Sequence, residues 1–271
     1  ARAFNGMTAE LREHIDRVAQ ESAARQKIER DLDLAREIQR GLLPTALPSL
    51  AGYAVAGWNQ PAEQCGGDYF DWMTLPDGKT IFVLADVTGH GIGPALIVSV
   101  CRAYLRAASQ SSEAPLAQVM QRVNDFLAHD IPETHFVTAV VAVVDPSNHS
   151  MSLTSAGHGP ILLYHAATGE VEVMGADYLP FAVAAGVEFP APRQFTLGPG
   201  DTLLLTTDGF FEWMNAQGER YGIDRLRDFL AANHAMAPDA LIAKLHKEVL
   251  AHAAGTPQDD DLTAVVVKRL A

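Results

Sequence analysis

The sequence predicts an α+β domain of layered antiparallel sheets covered by helices, preceded by one long N-terminal helix. Three observations predict it. Residues 7–43 contain no Gly or Pro before Gly41 and are rich in Ala, Glu, Arg and Leu, which are strong helix formers. From residue 53 onward, short apolar runs separated by turn residues alternate with helical stretches that come in pairs. A chain of 271 residues, 48% hydrophobic and 20% charged, has the material for one large globular domain plus an appendage.

The first helix is expected over 7–43, with Thr8 and Glu10 as its capping residues. Leu11, Ile15 and Val18 form an apolar stripe that Ile28, Leu32 and Ala35 resume, with Ser22 and Arg25 interrupting it. An interrupted seam suits a two-stranded coiled coil that can shift, and hence a homodimer through this helix. The alternative is a surface helix folded back on the domain. Pro44 and Pro48 end the helix, because the residue before a proline is pushed out of helical conformation. The chain therefore divides into a helix over 1–43 and a domain over 44–271.

Within that domain, strands are expected at 53–58, 69–72 and 80–85, then helices at 93–108 and 115–128. Strands follow at 136–144, 150–155, 161–164, 171–174 and 201–207, joined by the turns DPSN, GHGP and ATGE. Helices at 223–232 and 238–253, a polar loop and a strand at 262–268 close the chain. Strands following strands, with helices inserted in pairs, make antiparallel layers the economical arrangement.

A formal charge of −13 argues against nucleic acid or an anionic membrane as partner, since phosphate neutralisation needs clustered Lys and Arg. Cys65 and Cys101 are the only cysteines and form no CxxC, which disfavours a disulfide framework and a cysteine zinc site and fits a reducing, cytoplasmic compartment. No apolar run reaches the roughly 18 to 20 residues of a membrane span, and no signal peptide is recognisable.

The chemistry lies in acids placed where folding alone does not require them. Asp68 follows Gly66 and Gly67, Asp86 ends the run IFVLA, Asp208 ends TLLLTT, and Asp260 sits just before the last strand. Apolar strands pack side by side, so acids at their ends can converge. Several carboxylates together are costly to desolvate and repel one another, and a divalent cation removes both problems. Hard oxygen ligands select Mg²⁺ or Mn²⁺ over zinc, and four carboxylates make a two-ion site feasible. Gly66, Gly67, Gly89, Gly91 and Gly209 would let backbone approach the ions. Asp71 is a possible further acid that reads better as a neighbour; Asp259 and Asp261 read as solvated residues or outer neighbours of Asp260. Asp77-Gly78 reads as a hairpin turn. His90, His135, His158 and His165 are scattered and show no metal-binding spacing, and neither a P-loop nor a GxSxG elbow is present.

Six ordered motifs, GGDYFD, ADVTGHG, FVTAVVAVVDP, SAGHGPILLY, LLLTTDGFFE and DDDLTAVVV, together with the lead-in EIQRGLLP, resemble the metal-dependent serine/threonine protein phosphatases of the PPM family, in particular their bacterial SpoIIE-like branch. The resemblance spans about Ile38 to Arg269. It implies an αββα sandwich with a dinuclear Mn²⁺ or Mg²⁺ site at one end. Asp68 and Asp86 would then be metal ligands, Asp86 bridging both ions, with the Val87 carbonyl as an additional ligand and Asp208 and Asp260 completing the donors of the second ion. The implied substrate is a phosphoserine or phosphothreonine on a STAS-domain anti-sigma-factor antagonist. Residues 1–15 are similar to the end of the second helix of a HAMP module, which implies an inner-membrane receptor with this chain as its cytoplasmic output. Cys65, where the branch commonly carries an aliphatic residue, and the bulky TDGFFEWMN depart from the pattern without touching an acid.

The expected reaction is hydrolysis of a phosphomonoester by a hydroxide shared between the two ions, without a protein nucleophile and with His90 as a candidate to assist the leaving group. The rival from another class is a catalytically weak module of the same fold that binds a phosphoprotein or anti-sigma partner; loss of an acid would favour it, and none is lost. A nuclease or cyclase is disfavoured by the acidic balance and the lack of a basic groove. Rotation or stretching of the helix is expected to reach the domain through Leu42 and Leu43 and to bias metal occupancy.

Overall fold

The computed structural model describes residues 2–110 and 114–270, with the side chains of the first helix described from residue 13 onward. Helix α1 spans Arg2–Leu42. It begins before the expected cap at Thr8 because Gly6 weakens a helix without breaking it. The side chains of Thr8, Glu10 and Leu11 lie outside the described residues. Ile15, Val18, Ile28, Leu34 and Ile38 are exposed. Leu32, Ala35, Arg36, Gln39 and Leu42 are half-buried, so α1 is seated on the domain only toward its C-terminal end and is not folded back along its length.

The domain follows as β1 (Tyr53–Gln60), β2 (Tyr69–Thr74), β3 (Thr80–Val87), α2 (Ile92–Ser109), α3 (Leu116–Asp130), β4 (Val137–Asp145), β5 (Ser150–Ala156), β6 (Ile161–His165) and β7 (Glu170–Met174). Then come β8 (Arg193–Thr196), β9 (Thr202–Thr206), α4 (Gly209–Glu212), α5 (Ile223–Asn233), α6 (Pro238–Ala253) and β10 (Leu262–Arg269). Two five-stranded antiparallel sheets result, in the orders β1-β10-β9-β6-β7 and β2-β3-β4-β5-β8. The α+β layered architecture expected from the sequence is present, as an αββα sandwich. Two elements had no sequence signal. Strand β8 is four residues long and half-exposed, so it carries no apolar run, and α4 is a single turn after Asp208.

Period-2 alternation sorts each strand's side chains between layers. In β3, Phe82 and Leu84 enter the core between the sheets with Phe70, Trp72, Val140, Leu203, Leu205, Val265 and Val267. Ile81, Val83, Ala85 and Val87 face the other way and pack under α2 and α3 with Val98, Cys101, Leu105, Met120, Val123 and Leu127. On the opposite outer face, Leu204, Ala264 and Val266 pack under α5 and α6 with Phe229, Leu230, Leu245 and Val249. All of this apolar surface is covered on both faces of each sheet, which is why the strands read as continuous apolar runs and not as alternating ones.

The same alternation places the acids. Asp68 shares the parity of Phe70 and Trp72, and Asp86 that of Phe82 and Leu84, so both are delivered toward the space between the sheets. Asp71 has the opposite parity and faces the helices. It is fully buried, accepts two bonds from Arg106 of α2 (Nη2 to Oδ1, 2.7 Å; Nε to Oδ2, 2.5 Å), and accepts a third from the Tyr69 hydroxyl at 2.6 Å. Arg102 lies 3.6 Å away. This network fastens α2 to the strand that carries Asp68. Replacement of Arg106 by Ala leaves a buried carboxylate short of its bidentate donor, and urea denaturation is expected to show a loss of about 2 to 3 kcal/mol, limited because Arg102 remains nearby.

Candidate metal centre

At one end of the sandwich the two sheets meet over Asp68. Its Oδ2 accepts from the Thr207 hydroxyl at 2.7 Å and from the Thr263 hydroxyl at 2.6 Å. Thr207 follows β9 and Thr263 lies in β10, so a carboxylate of one sheet is gripped by two strands of the other. Leu203, Leu205 and Thr207 share one parity, as do Thr263, Val265 and Val267, which turns both hydroxyls inward. Asp68 is 4% exposed. Its pKa is pushed well above the usual carboxylate value, first by burial and then by the charges of Asp86 and Asp261.

Asp86 is the penultimate residue of β3, the strand beside β2. Burial comes first among the causes that raise its pKa to about 8, followed by repulsion from Asp208, Asp260 and Asp261, with the neighbouring Asp68 carboxyl acting in the opposite direction. Asp208 stands at the N-terminal end of α4 and is raised to about 6 by burial, then by Asp260 and Glu212. Asp260 is exposed, at the open side of the cluster. Asp86 is therefore the member of the four acids singled out in the sequence that lies within electrostatic reach of the other three, Asp68, Asp208 and Asp260.

Asp261 is where the structure adds most. Expected to be solvated or an outer neighbour, it is 2% exposed. It accepts from the backbone N–H of Ala62 at 2.7 Å and of Asp68 at 3.4 Å. A Cβ on Gly66 would come within 2.0 Å of its Oδ2, and one on Gly209 within 2.1 Å of its carbonyl oxygen. These two glycines therefore make room for Asp261, where the sequence suggested approach to an ion. The one-residue offset between Asp260 and Asp261 carries no signal in the run DDD; only strand parity separates them.

The backbone carbonyl of Val87 lies against Gly67, 2.7 Å from where a Cβ would stand. His90 is turned to Glu63 at 2.8 Å. His158 is buried; its Nε2–H donates to the Thr206 carbonyl at 3.0 Å and its Nδ1 accepts from the Thr138 hydroxyl at 3.1 Å, and burial lowers its pKa to about 4, so it is a neutral pin between the sheets. Cys65 and Cys101 are buried and unpaired by disulfide. The bulk of FFEW packs inward, with Phe210, Phe211 and Trp213 buried.

The donor set fits hard divalent cations. Every donor is an oxygen, and the neighbours that dominate the titration of Asp68, Asp86, Asp208 and Asp261 include no Lys or Arg. Among the described residues, no group of three or more His, Cys, Asp or Glu side chains is already disposed to hold a metal ion. Mg²⁺ keeps several of its waters and is bound through one or two carboxylates at a time, so it does not require a preformed all-protein cage.

A family model described as stage II sporulation protein E (SpoIIE) matches residues 76–270. The chain belongs to the SpoIIE family. Asp86, Val87, Asp208 and Asp260 of this SpoIIE-family chain fall within the matched region and Asp68 just precedes it. The chain is 26% identical over 270 residues to protein IcfG of Synechocystis sp., covering 88% of this chain but 41% of that protein. It is 25% identical over 248 residues to the phosphoserine phosphatase RsbU of Bacillus subtilis, covering 90% of this chain and 71% of RsbU. The fold matches the SiaA-PP2C domain of Pseudomonas aeruginosa with a TM-score of 0.79 at 23% identity, over 92% of this chain and 98% of that one. No helix among the described residues is long and apolar enough to cross a membrane.

The raised carboxyls set a pH dependence whose sign can be worked out. A carboxyl with a folded pKa above its unfolded one is penalised once it ionises, so stability falls as pH rises from about 4 to about 8. Thermal melts in chelator are expected to show Tm decreasing across that window. Mg²⁺ or Mn²⁺ at about a hundredfold excess over Kd should raise Tm by roughly 5 to 10 °C at the upper end and by less at the lower. A Tm that is flat with pH and indifferent to metal would contradict the assignment.

Proposed function

We propose that this domain is a metal-dependent serine/threonine phosphoprotein phosphatase that hydrolyses a phosphomonoester with the help of two Mn²⁺ or Mg²⁺ ions. One observation supports the reading: Asp68, Asp86 and Asp208 are buried together and raise one another's pKa, with Asp260 beside them and no Lys or Arg among the leading influences on the three. Asp86 would bridge the ions, Asp68 and the Val87 carbonyl would complete one set of donors, and Asp208 and Asp260 the other. Bound there, the ions would supply Lewis acidity, drawing charge from the phosphoryl oxygens and acidifying a water.

The chain's own part is positioning. Thr207 and Thr263 occupy one oxygen of Asp68 and leave the other free for Asp86 or an ion. Asp261 fixes the backbone of residues 62–68, so the acids are presented on braced strand ends. A cavity lined by Gly209, Glu212, Trp213, Met214, Asp259 and Asp260 adjoins the cluster and would offer a path for the segment that bears the phosphate.

The substrate proposed is a phosphorylated STAS-domain antagonist of an anti-sigma factor, in keeping with the family and with the phosphoserine phosphatase name carried by RsbU. The exposed stripe Ile15, Val18, Ile28 on α1 supports a homodimer through that helix, and the HAMP-like residues 1–15 support a place at the cytoplasmic end of an inner-membrane receptor. Activity toward a phosphoserine protein in Mn²⁺ or Mg²⁺ is expected to fall at least about a hundredfold on Asp208→Asn, beyond the loss typical of an outer-shell change. Equal activity in the two proteins, or a phosphoenzyme trapped during turnover, would overturn the reading.

A further inference from the structure

The turn that delivers Asp68 is held from three directions. Asp261 holds it from the segment before β10, and Val87 of β3 donates its N–H to the Gly67 carbonyl at 3.2 Å. The third hold comes from the N-terminal helix: the side-chain amide of Gln39 donates to the Gly66 carbonyl at 2.6 Å and accepts from the Gly66 N–H at 3.1 Å. Gln39 thus pairs with Gly66 as a neighbouring strand would, satisfying both backbone groups of one residue. Among the described residues these are the only side-chain hydrogen bonds from α1 to the rest of the chain.

The location leaves little slack. Gln39, Leu42 and Leu43 close over Asp68, Tyr69, Val98, Ser99 and Arg102, with almost no free volume between them. Gly66 cannot retreat, because its other side abuts the Asp261 carboxylate. Successive helical residues project about 100° apart. A turn of α1 by one position would therefore replace Gln39 with Ile38 or Arg40. Ile38 has no polar atom and Arg40 donates but cannot accept, so neither can hold both groups of Gly66.

We propose that Gln39 is a positioning residue for the metal centre: its two bonds to Gly66 fix the turn before Asp68, so that retention of the ion held by Asp68 depends on the seating of α1. This rests on the reading of the acids as an ion site. A residue with that role changes how tightly the ion is held and leaves the chemistry of the loaded site alone.

The test uses the 271-residue chain with Gln39→Ala and Gln39→Glu, the latter keeping the acceptor for the Gly66 N–H and losing the donor. Hydrogen–deuterium exchange without metal is expected to speed up in peptides covering residues 62–68 by roughly tenfold for Gln39→Ala, the scale of a lost hydrogen bond, with Gln39→Glu between it and wild type and with β3 and β10 unchanged. The Mn²⁺ concentration for half-maximal activity should rise about tenfold in Gln39→Ala while kcat at saturating metal stays within about twofold. Arg25→Ala, which removes only the exposed Arg25–Glu29 pair, should change neither. Unchanged exchange at 62–68, exchange raised equally across the domain, or a fall in kcat at constant half-saturation would each overturn the proposal. Should the wild type prove inactive on every phosphoprotein, the phosphatase reading fails and the exchange measurement still decides the role of Gln39.

Discussion

A carboxylate of one sheet held by two hydroxyls of the other is the interaction on which this end of the molecule depends. Asp68 belongs to the sheet containing β2, and Thr207 and Thr263 to the sheet containing β9 and β10. Elsewhere the sheets are held together by an apolar core that is tolerant of direction. At the site end the contact is polar, directional and nearly dry, so it fixes the register of one sheet over the other. The neutral pin of His158 between Thr138 and Thr206 reinforces the same registration one layer away.

Around that contact the structure collects repulsion. Asp68, Asp86, Asp208 and Asp261 are all raised above the usual carboxylate range, with burial as the leading cause in each. A fold that placed these charges for stability would have supplied a cation from its own side chains, as it did for Asp71, where Arg106 and Arg102 complete the charge. The contrast between Asp71 in β2 and Asp68 just before that strand, three residues apart and facing opposite layers, is the clearest physical sign that the second group of acids is kept for something other than folding.

Much of this was legible in the sequence because it rests on short-range rules. Short apolar runs and turn residues gave the layered antiparallel domain, the hairpin at Asp77-Gly78 and the delivery of Asp68 and Asp86 from adjacent strands, and the family resemblance gave the two sheets. What escaped depended on long-range packing. Strand β8 has no apolar run of its own and exists by pairing with β5. Asp261 was indistinguishable from Asp259 and Asp260 until strand parity showed that it turns inward to Ala62 and Asp68. In the sequence Gln39 stands out only as part of the lead-in EIQRGLLP, since nothing local marks a side chain that finds its partner 27 positions away.

The central claim is that the acids form a two-ion site. Crystals grown with Mn²⁺ and measured at its absorption edge test it most directly. The account predicts two anomalous peaks roughly 3.5 to 4 Å apart, with Asp86 between them, Asp68 and the Val87 carbonyl beside one, and Asp208 and Asp260 beside the other. Absence of anomalous density among these residues at saturating Mn²⁺, or density only at surface carboxylates elsewhere, would contradict it.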